Sequence, residues 1–432
     1  MTTVIDRYRE SSLRRRRRAE RANIRLDIQG LRMVAVLAVV AYHLTGWPQG
    51  GFVGIDVFFV ISGFLVTDSL LRHTEQNGAV AFRDFYWNRV RRIVPVATVV
   101  LLATWVASIY VLPPPGAREV GIDALFAFFF VANWHFAADG AGYLSAAQSV
   151  SPVQQFWVLS IEEQFYLVWP ALIFVATLIV IRKAWSRTRW MLLAGGIMGV
   201  VVAASLAWAL YLTATSPSWA FYGTFARVWE LGVGALLATA VAGLATVPDL
   251  LRPLLSWAGL AVIVASMFLI GDDTAGFPAP WALLPVAGAA MVVAAGVGTE
   301  PELQWPLRNP ASTYLGNISF ALYLVHWPVI IFLTTMMATS VYFYVCVLAL
   351  SFGLAIACYH FVEIPMRYAG PEAIRDARDA MRHGLFKPEL STKVAAVAAL
   401  GLVAVALISY AMRPDAYEPA AHQLPAALVQ AR

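Results

Sequence analysis

A chain of 432 residues that is 60% hydrophobic and only 13% charged departs from soluble globular proteins, in which about a quarter of residues carry charge. Its formal charge of +5 sits in short basic clusters between apolar runs, a pattern that bears on membrane topology and not on nucleic acid. The two cysteines, Cys346 and Cys358, both fall inside apolar runs, so they describe neither a disulfide framework nor a zinc site, and no metal is expected. What remains is an all-α polytopic membrane protein.

Residues 1–26 are polar and basic, and Arg14 to Arg18 form an unbroken cationic run. Just before a membrane span such a run holds the N-terminus in the cytoplasm; a nucleic-acid arm is the other reading. The first apolar run is not followed by a small-residue cleavage site, so it reads as a span and not as a removed signal. Expected spans are Ile28–Gly46 and Phe52–Leu71, joined by a Trp-Pro-Gln-Gly-Gly turn, then Ile93–Leu112, which ends at Pro113-Pro114-Pro115-Gly116, where a helix cannot continue. The loop after the second span carries Arg72, Arg83, Arg89, Arg91 and Arg92 and belongs inside by the positive-inside rule.

The next stretch poses a question of parity. Residues 182–189 hold four basic side chains and belong inside, and the run Phe156–Ile181 leads straight into them. The third span also ends outside, so everything between, including Asn133-Trp134-His135, must begin and end on the outer side. It is therefore expected to be re-entrant, which a bilayer tolerates where protein receives the backbone. A full span with the basic residues outside is the plain alternative. Thereafter the spans alternate: Met191–Leu212, Phe221–Val241, Leu254–Ile270, Trp281–Gly298, Tyr314–Thr335 and Tyr342–Val362. A basic linker over 366–393 leads to an eleventh span, Val394–Met412, which contains no ionisable residue, and a Pro- and Ala-rich tail over 413–432. No paired repeat of the transporter kind is visible.

Ionisable groups inside spans mark sites more often than faces. Arg32 and His43 lie eleven residues apart in the first span, almost three whole turns, so they point the same way about 16 Å apart along the axis. An imidazole suits proton transfer near neutral pH. Asp56 is the nearest acid and either orients His43 or caps its own helix. The glycines Gly50, Gly51, Gly54 and Gly63 suit close helix packing, with a tunnel wall as the lesser reading. Glu162 and Glu163 point about 100° apart, so one at most faces a given cavity. Arg227 and Glu230, three apart on one face, read as a buried structural pair. His326 is followed within two residues by Pro328, which frees a backbone group; it is either a second site residue or a helix-to-helix hydrogen bond. His360, near Glu363, reads as interface chemistry. Arg89, Arg91 and Arg92 beside Tyr86 and Trp87 either follow positive-inside bias or suit a phosphate-bearing ligand.

Four stretches taken together resemble a known family, the membrane-bound acyltransferase-3 family of glycan and lipid O-acyltransferases. They are Arg25–Arg32 (RLDIQGLR) followed after ten residues by His43, Gly50–Phe64 (GGFVGIDVFFVISGF), Ser160–Tyr166 (SIEEQFY) and Ile318–His326 (ISFALYLVH). The resemblance covers about residues 25–365. It implies a ten-span acyltransferase domain over 27–365 with a re-entrant segment, followed by the linker, the eleventh span and the outer tail. It also implies transfer of an acyl group (acetyl, succinyl or similar) from cytoplasmic acyl-coenzyme A to a hydroxyl of a cell-envelope glycan or glycolipid. By that resemblance His43 and Arg32 are catalytic. It also implies that Arg89 and Arg92 hold the coenzyme and that Trp134 lies on the substrate path; on the residues alone, Arg91 and Arg72 join the coenzyme set and Asp56, Glu162, Glu163 and His326 the lining of that path. Some relatives continue past the eleventh span into an extracellular hydrolase-like domain, so such a domain is an expected partner, in the same chain or on another; the chain reads either as a short form or as one cut before that domain. The implied location is a bacterial inner membrane, N-terminus cytoplasmic and C-terminus outside, with the bilayer as the other partner and no nucleic acid. The competing class is a transporter or flippase of an anionic lipid-linked sugar, using the same charges to hold cargo. A scaffold is the third, and it leaves His43, Arg32 and the glutamates unexplained.

Overall fold

The protein is described by a computed structural model over residues 25–77, 82–140, 150–182, 186–271, 274–301, 303–368 and 390–413. The arginine run near the N-terminus, nearly all of the basic linker and nearly all of the tail lie outside these residues. The described residues are helical and contain no strand. In chain order the helices are α1 (Leu26–Thr45), α2 (Gly54–Asn77), α3 (Phe82–Val111), α4 (Pro114–Phe128), α5 (Ala132–Ala138), α6 (Phe156–Arg182), α7 (Arg187–Thr215), α8 (Pro217–Tyr222) and α9 (Thr224–Thr239). They continue with α10 (Val241–Leu244), α11 (Leu251–Leu269), α12 (Leu283–Ala295), α13 (Trp305–Arg308), α14 (Pro310–Met336), α15 (Val341–Ala357), a π-helical turn over Cys358–Glu363, α16 (Ile364–Tyr368) and α17 (Leu390–Ala411).

Nine of these segments are long and apolar enough to cross a bilayer. The other two expected spans are shorter: α9 has 16 residues and α12 has 13, about 24 and 20 Å at 1.5 Å per residue. Each of the eleven apolar runs in the sequence therefore corresponds to a helix. Helices α1, α2 and α14 are the most enclosed, whereas α7 and α17 present most of their surface outward. Helix α17 leans on α15, where Cys346 Sγ lies 3.3 Å from Ala406 O, and exposes Val397, Leu400 and Leu407. An apolar exposed face is what lipid requires of a peripheral span.

Between α3 and α6 the chain makes a hairpin. Helix α4 turns back along α3, so that Gly121 fits against the Trp105 indole. The turn after it meets Gln164, whose Nε2 donates to Phe130 O at 2.8 Å and to Asn133 Oδ1 at 2.9 Å. Gln164 is the ninth residue of α6, about 12 Å in from its start, and α5 then leads the chain away again. That is the geometry of a re-entrant segment, with the free backbone met by protein as the bilayer demands.

Helices α1 and α14 run side by side and touch backbone to backbone. A Cβ on Gly316 of α14 would collide with Gln29 of α1, and one on Gly30 of α1 with Leu307 of the neighbouring α13, so only glycine permits these approaches. The contact sets the register in which His43 of α1 meets His326 of α14. At the other end of α1 from His43, ionic contacts tie down the start of the helix. Arg25 pairs with Asp27 at 2.5 Å and donates to Val293 O at 2.8 Å. Leu26 N–H donates to Glu300 at 2.9 Å, and Glu300 is held in turn by Arg308 at 3.1 Å.

Candidate active site

Five helices bound a cavity near the Arg32 end. Its polar lining is Arg32 from α1, Ser62 from α2, Arg89 and Arg92 from α3, Glu162 and Tyr166 from α6, and Ser319 and Tyr323 from α14. Phe58, Ile61 and Phe320 are among the apolar remainder. The space, open mouth included, is about 760 Å³. Three guanidiniums face one carboxylate in this lining, so the cavity suits an anion.

The individual placements have local causes. Ser62 Oγ donates to Glu162 Oε1 at 2.5 Å, which fixes the acid that faces inward. Glu163, one residue on, points away and is not a lining residue. Arg89 lies over the Tyr166 ring, 3.6 Å from its centroid, a cation–π arrangement that leaves its N–H groups available. Arg92 Nε lies 4.0 Å from Glu363 Oε1. Glu363 comes from the π-helical turn that ends the tenth span; such turns often occur at functional sites because they widen the helix locally. Arg32 is only 9% exposed, lines the cavity, and has no hydrogen-bond or ion-pair partner among the described residues; Glu363 and Glu162 act on it through the field alone.

The other polar centre lies along α1 and α14. His43 Nδ1 and His326 Nε2 are 2.9 Å apart, with near-parallel rings, and Trp327 packs on His43 at 4.6 Å. His326 Nδ1 lies 3.0 Å from Leu322 O. A carbonyl only accepts, so Nδ1 of His326 carries its proton and Nε2 of the neutral ring is an acceptor. His43 Nδ1 must then be the donor between them, which puts the basic lone pair of His43 on Nε2. The ring orienting His43 is thus a second histidine. Tyr323 joins the two centres: it lines the cavity, and its ring centroid is 5.7 Å from that of His326. Ser319, Tyr323 and His326 form one stripe of α14, spaced four and three residues apart.

Pro328 explains the support behind that stripe. A proline donates no N–H, so the carbonyl four residues earlier loses its helical partner. That carbonyl is Leu324 O, and Gln155 Nε2 donates to it at 2.8 Å. The segment that carries Gln155 also accepts two bonds from α14: Tyr323 Oη donates to Gln155 O at 2.9 Å, and Trp327 Nε1 donates to Ser151 O at 2.9 Å.

Several expected site residues lie elsewhere. Asp56 neither lines the cavity nor serves as the ring partner of His43; its Oδ1 accepts from Arg227 at 2.8 Å, and Arg227 also pairs with Glu230 at 2.8 Å. The cause is the contact of α2 with α9, where Gly63 and Gly234 each press against the other helix's backbone and bring the Asp56 face onto Arg227. Trp134 belongs to the re-entrant hairpin and donates to Thr224 Oγ1 at 3.0 Å. Arg72 is exposed and pairs along its own helix with Asp68 at 2.9 Å, while Arg91 lies over Trp87; neither lines the cavity. Tyr323, Gln155 and Glu363 were not among the expected site residues. The proline after His326 was the signal for Gln155, because it announces a carbonyl in need of a donor.

A polytopic helical bundle with an arginine-lined cavity and a histidine pair on one helix-to-helix stripe is an intramembrane site built for polar chemistry. A family model described as an acyltransferase domain matches residues 25–360. The chain belongs to that family, acyltransferase-3. It is 31% identical to the peptidoglycan O-acetyltransferase OatA of Listeria monocytogenes, over 80% of this chain and 56% of the relative. It is 30% identical to the putative peptidoglycan O-acetyltransferase YrhL of Bacillus subtilis, over 89% of this chain and 61% of the relative. A putative O-acetyltransferase of Staphylococcus aureus is 29% identical over 80% of this chain and 58% of its own length. The chain thus spans about three fifths of the length of these curated relatives. No solved structure matches it.

Proposed function

We propose that the protein moves an acyl group from cytoplasmic acyl-coenzyme A to a hydroxyl of a cell-envelope glycan on the other side of the membrane, with peptidoglycan, named for two relatives, as the first acceptor to test. The observation that carries this reading is the α14 stripe, which runs from the arginine cavity to the histidine pair. Residues 27–365 would be the catalytic body and 394–412 an added span. The basic residues beside the Arg32 end support an orientation with that end in the cytoplasm, since positive loops stay inside. Membership of an acyltransferase family weighs against a transporter of lipid-linked sugars.

In this reading Arg89 and Arg92 grip the diphosphate with their donor forks. Arg32 and His43 are separated by eleven residues of helix, about 16 Å, too far for both to act on one carbonyl. Arg32 therefore steadies the pantetheine arm on its way inward. His43 Nε2 takes the proton from the acceptor hydroxyl as its oxygen attacks the thioester carbonyl. The C–S bond breaks, an ester forms, and the coenzyme leaves as thiolate, to be protonated from the cytoplasm. His326 keeps the His43 ring in the required tautomer. His43→Ala should lower transfer by about 10²–10⁴-fold while leaving acetyl-coenzyme A binding unchanged, measured with radiolabelled donor and membranes carrying the protein. Retained transfer would end the assignment, and label held by the protein without acceptor would show that His43 carries the acyl group itself.

A further inference from the structure

We propose that Phe58 and Tyr323 form a fixed aromatic partition between the arginine cavity and the histidine pair, and that this partition restricts the protein to short, unbranched acyl groups of two or three carbons. The inference rests on the acyl-transfer reading above and adds to it the residues that choose the acyl group.

Both rings line the cavity, one from α2 and one from α14. Their centroids are 6.3 Å apart and their planes tilted by 58°. On its far side Tyr323 lies against His326, which is hydrogen-bonded to His43. An acyl group travelling from the cavity to His43 therefore passes the edge of the Tyr323 ring. Tyr323 is 7% exposed, and the ring cannot swing aside freely. Its hydroxyl is held by Gln155 O, Gln155 is held by Leu324 O, and the adjoining Trp327 is held by Ser151 O. Rotating the ring would leave a buried hydroxyl unpaired, a state that proteins avoid. Leu324 O has no helical donor to fall back on, because Pro328 lacks an N–H, so the strap that holds Tyr323 is itself locked.

A two-carbon acyl group can pass such an edge with its methyl alone. Each further methylene must enter between packed rings, and close-packed interiors resist added volume. Discrimination by one methylene in an apolar pocket is roughly 10–200-fold. The expected profile therefore falls steeply from acetyl to butyryl, and branched chains are excluded.

The experiment compares acetyl-, butyryl- and isobutyryl-coenzyme A as radiolabelled donors for the full chain in membranes. The readout is the butyryl-to-acetyl transfer ratio within each variant, so that a general loss of turnover cancels. The wild type should show a ratio below about 0.1. Phe58→Ala should raise it at least tenfold, and Tyr323→Phe, which keeps the ring and removes its anchor, should raise it by less. Equal use of acetyl and butyryl by the wild type overturns the proposal without touching the acyl-transfer reading, and this arm needs no variant to fold. An unchanged ratio in both variants overturns it as well. A wild type that transfers no acyl group from any donor removes both readings together.

Discussion

Two buried arginines in this bundle have opposite surroundings. Arg227 is 1% exposed and sits between Asp56 and Glu230, boxed by Phe59, Trp157, Phe221 and Phe277 at 5.6 to 5.7 Å. Arg32 is 9% exposed, faces a cavity and has no ion-pair or hydrogen-bond partner among the described residues. A charge taken out of water must be matched by a partner, or the fold bears its full desolvation cost. Arg227 has its partners in the protein, Asp56 on α2 and Glu230 on its own helix, so it is a clamp between α2 and α9. Arg32 faces the cavity and has no such partner among the described residues, and under the proposed function its N–H groups are left for the pantetheine arm of the donor. Similar burial of the same side chain thus carries different surroundings, two acids for Arg227 and a cavity for Arg32.

The comparison can be broken most forcefully at the clamp. Arg227→Met leaves two acids facing one another in an aromatic box, and losing one member of a buried pair costs about 3–5 kcal/mol. The protein should unfold at markedly lower temperature in detergent, or fail to accumulate. Replacing all three residues by apolar ones of similar volume should recover most of that loss. A single Arg227→Met variant as stable as the wild type would show that the cluster is not a clamp.

A smaller effect is expected at the histidine pair. His326→Phe keeps a ring against His43 but removes the acceptor that fixes its tautomer. Transfer should fall roughly 10–100-fold, the scale seen when a metal-ligating histidine loses the group that orients it, with donor binding unchanged. An equal fall in donor affinity would mean that His326 only holds the helices together.

The smallest effect concerns pH at the cavity end, outside the spans. Burial, and then the neighbouring Asp27, push the Glu300 carboxyl above its ordinary value of 4.5. A carboxyl raised in the folded state binds its proton more readily there than in the unfolded chain. Its contribution to stability is therefore greatest below the ordinary value and is lost as pH rises through the raised one. Glu300→Gln should flatten that part of the stability–pH curve, read by thermal unfolding between pH 4 and 7 (roughly the carboxylate range). A curve of unchanged slope would mean that Glu300 does not titrate with folding.

Much of the architecture was legible in the residues because runs of about twenty apolar side chains have few fates other than a membrane span. The parity of basic loops likewise announced the re-entrant hairpin, and α4 and α5 have that form. The site was legible in pieces. Arg32, His43, Glu162, Arg89, Arg92 and His326 stand out as polar groups in apolar company. Their pairing was not legible: His43 and His326 are 283 positions apart and Asp56 and Arg227 are 171 apart, and helical periodicity says which face is polar without saying which helix it meets. Asp56 illustrates the cost. Proximity in sequence suggested His43, whereas the α2–α9 glycine contact turned it to Arg227. Tyr323 escaped notice for the opposite reason, since an aromatic ring in an apolar run looks like packing until the cavity beside it is seen.

Under the proposed function Arg32, which lines the cavity and has no hydrogen-bond or ion-pair partner among the described residues, receives the acyl donor. Thermal unfolding of purified wild type and Arg32→Met, with and without excess acetyl-coenzyme A, tests it directly. A ligand that binds only the folded state stabilises it by RT ln(1 + L/Kd), where L is the free ligand concentration. Arg32→Met should match or exceed the wild type without ligand, because an unmatched buried charge has been removed, and should lose most of the ligand-induced rise in Tm. A variant that is less stable alone yet keeps the full ligand-induced rise would contradict the account and make Arg32 a second clamp.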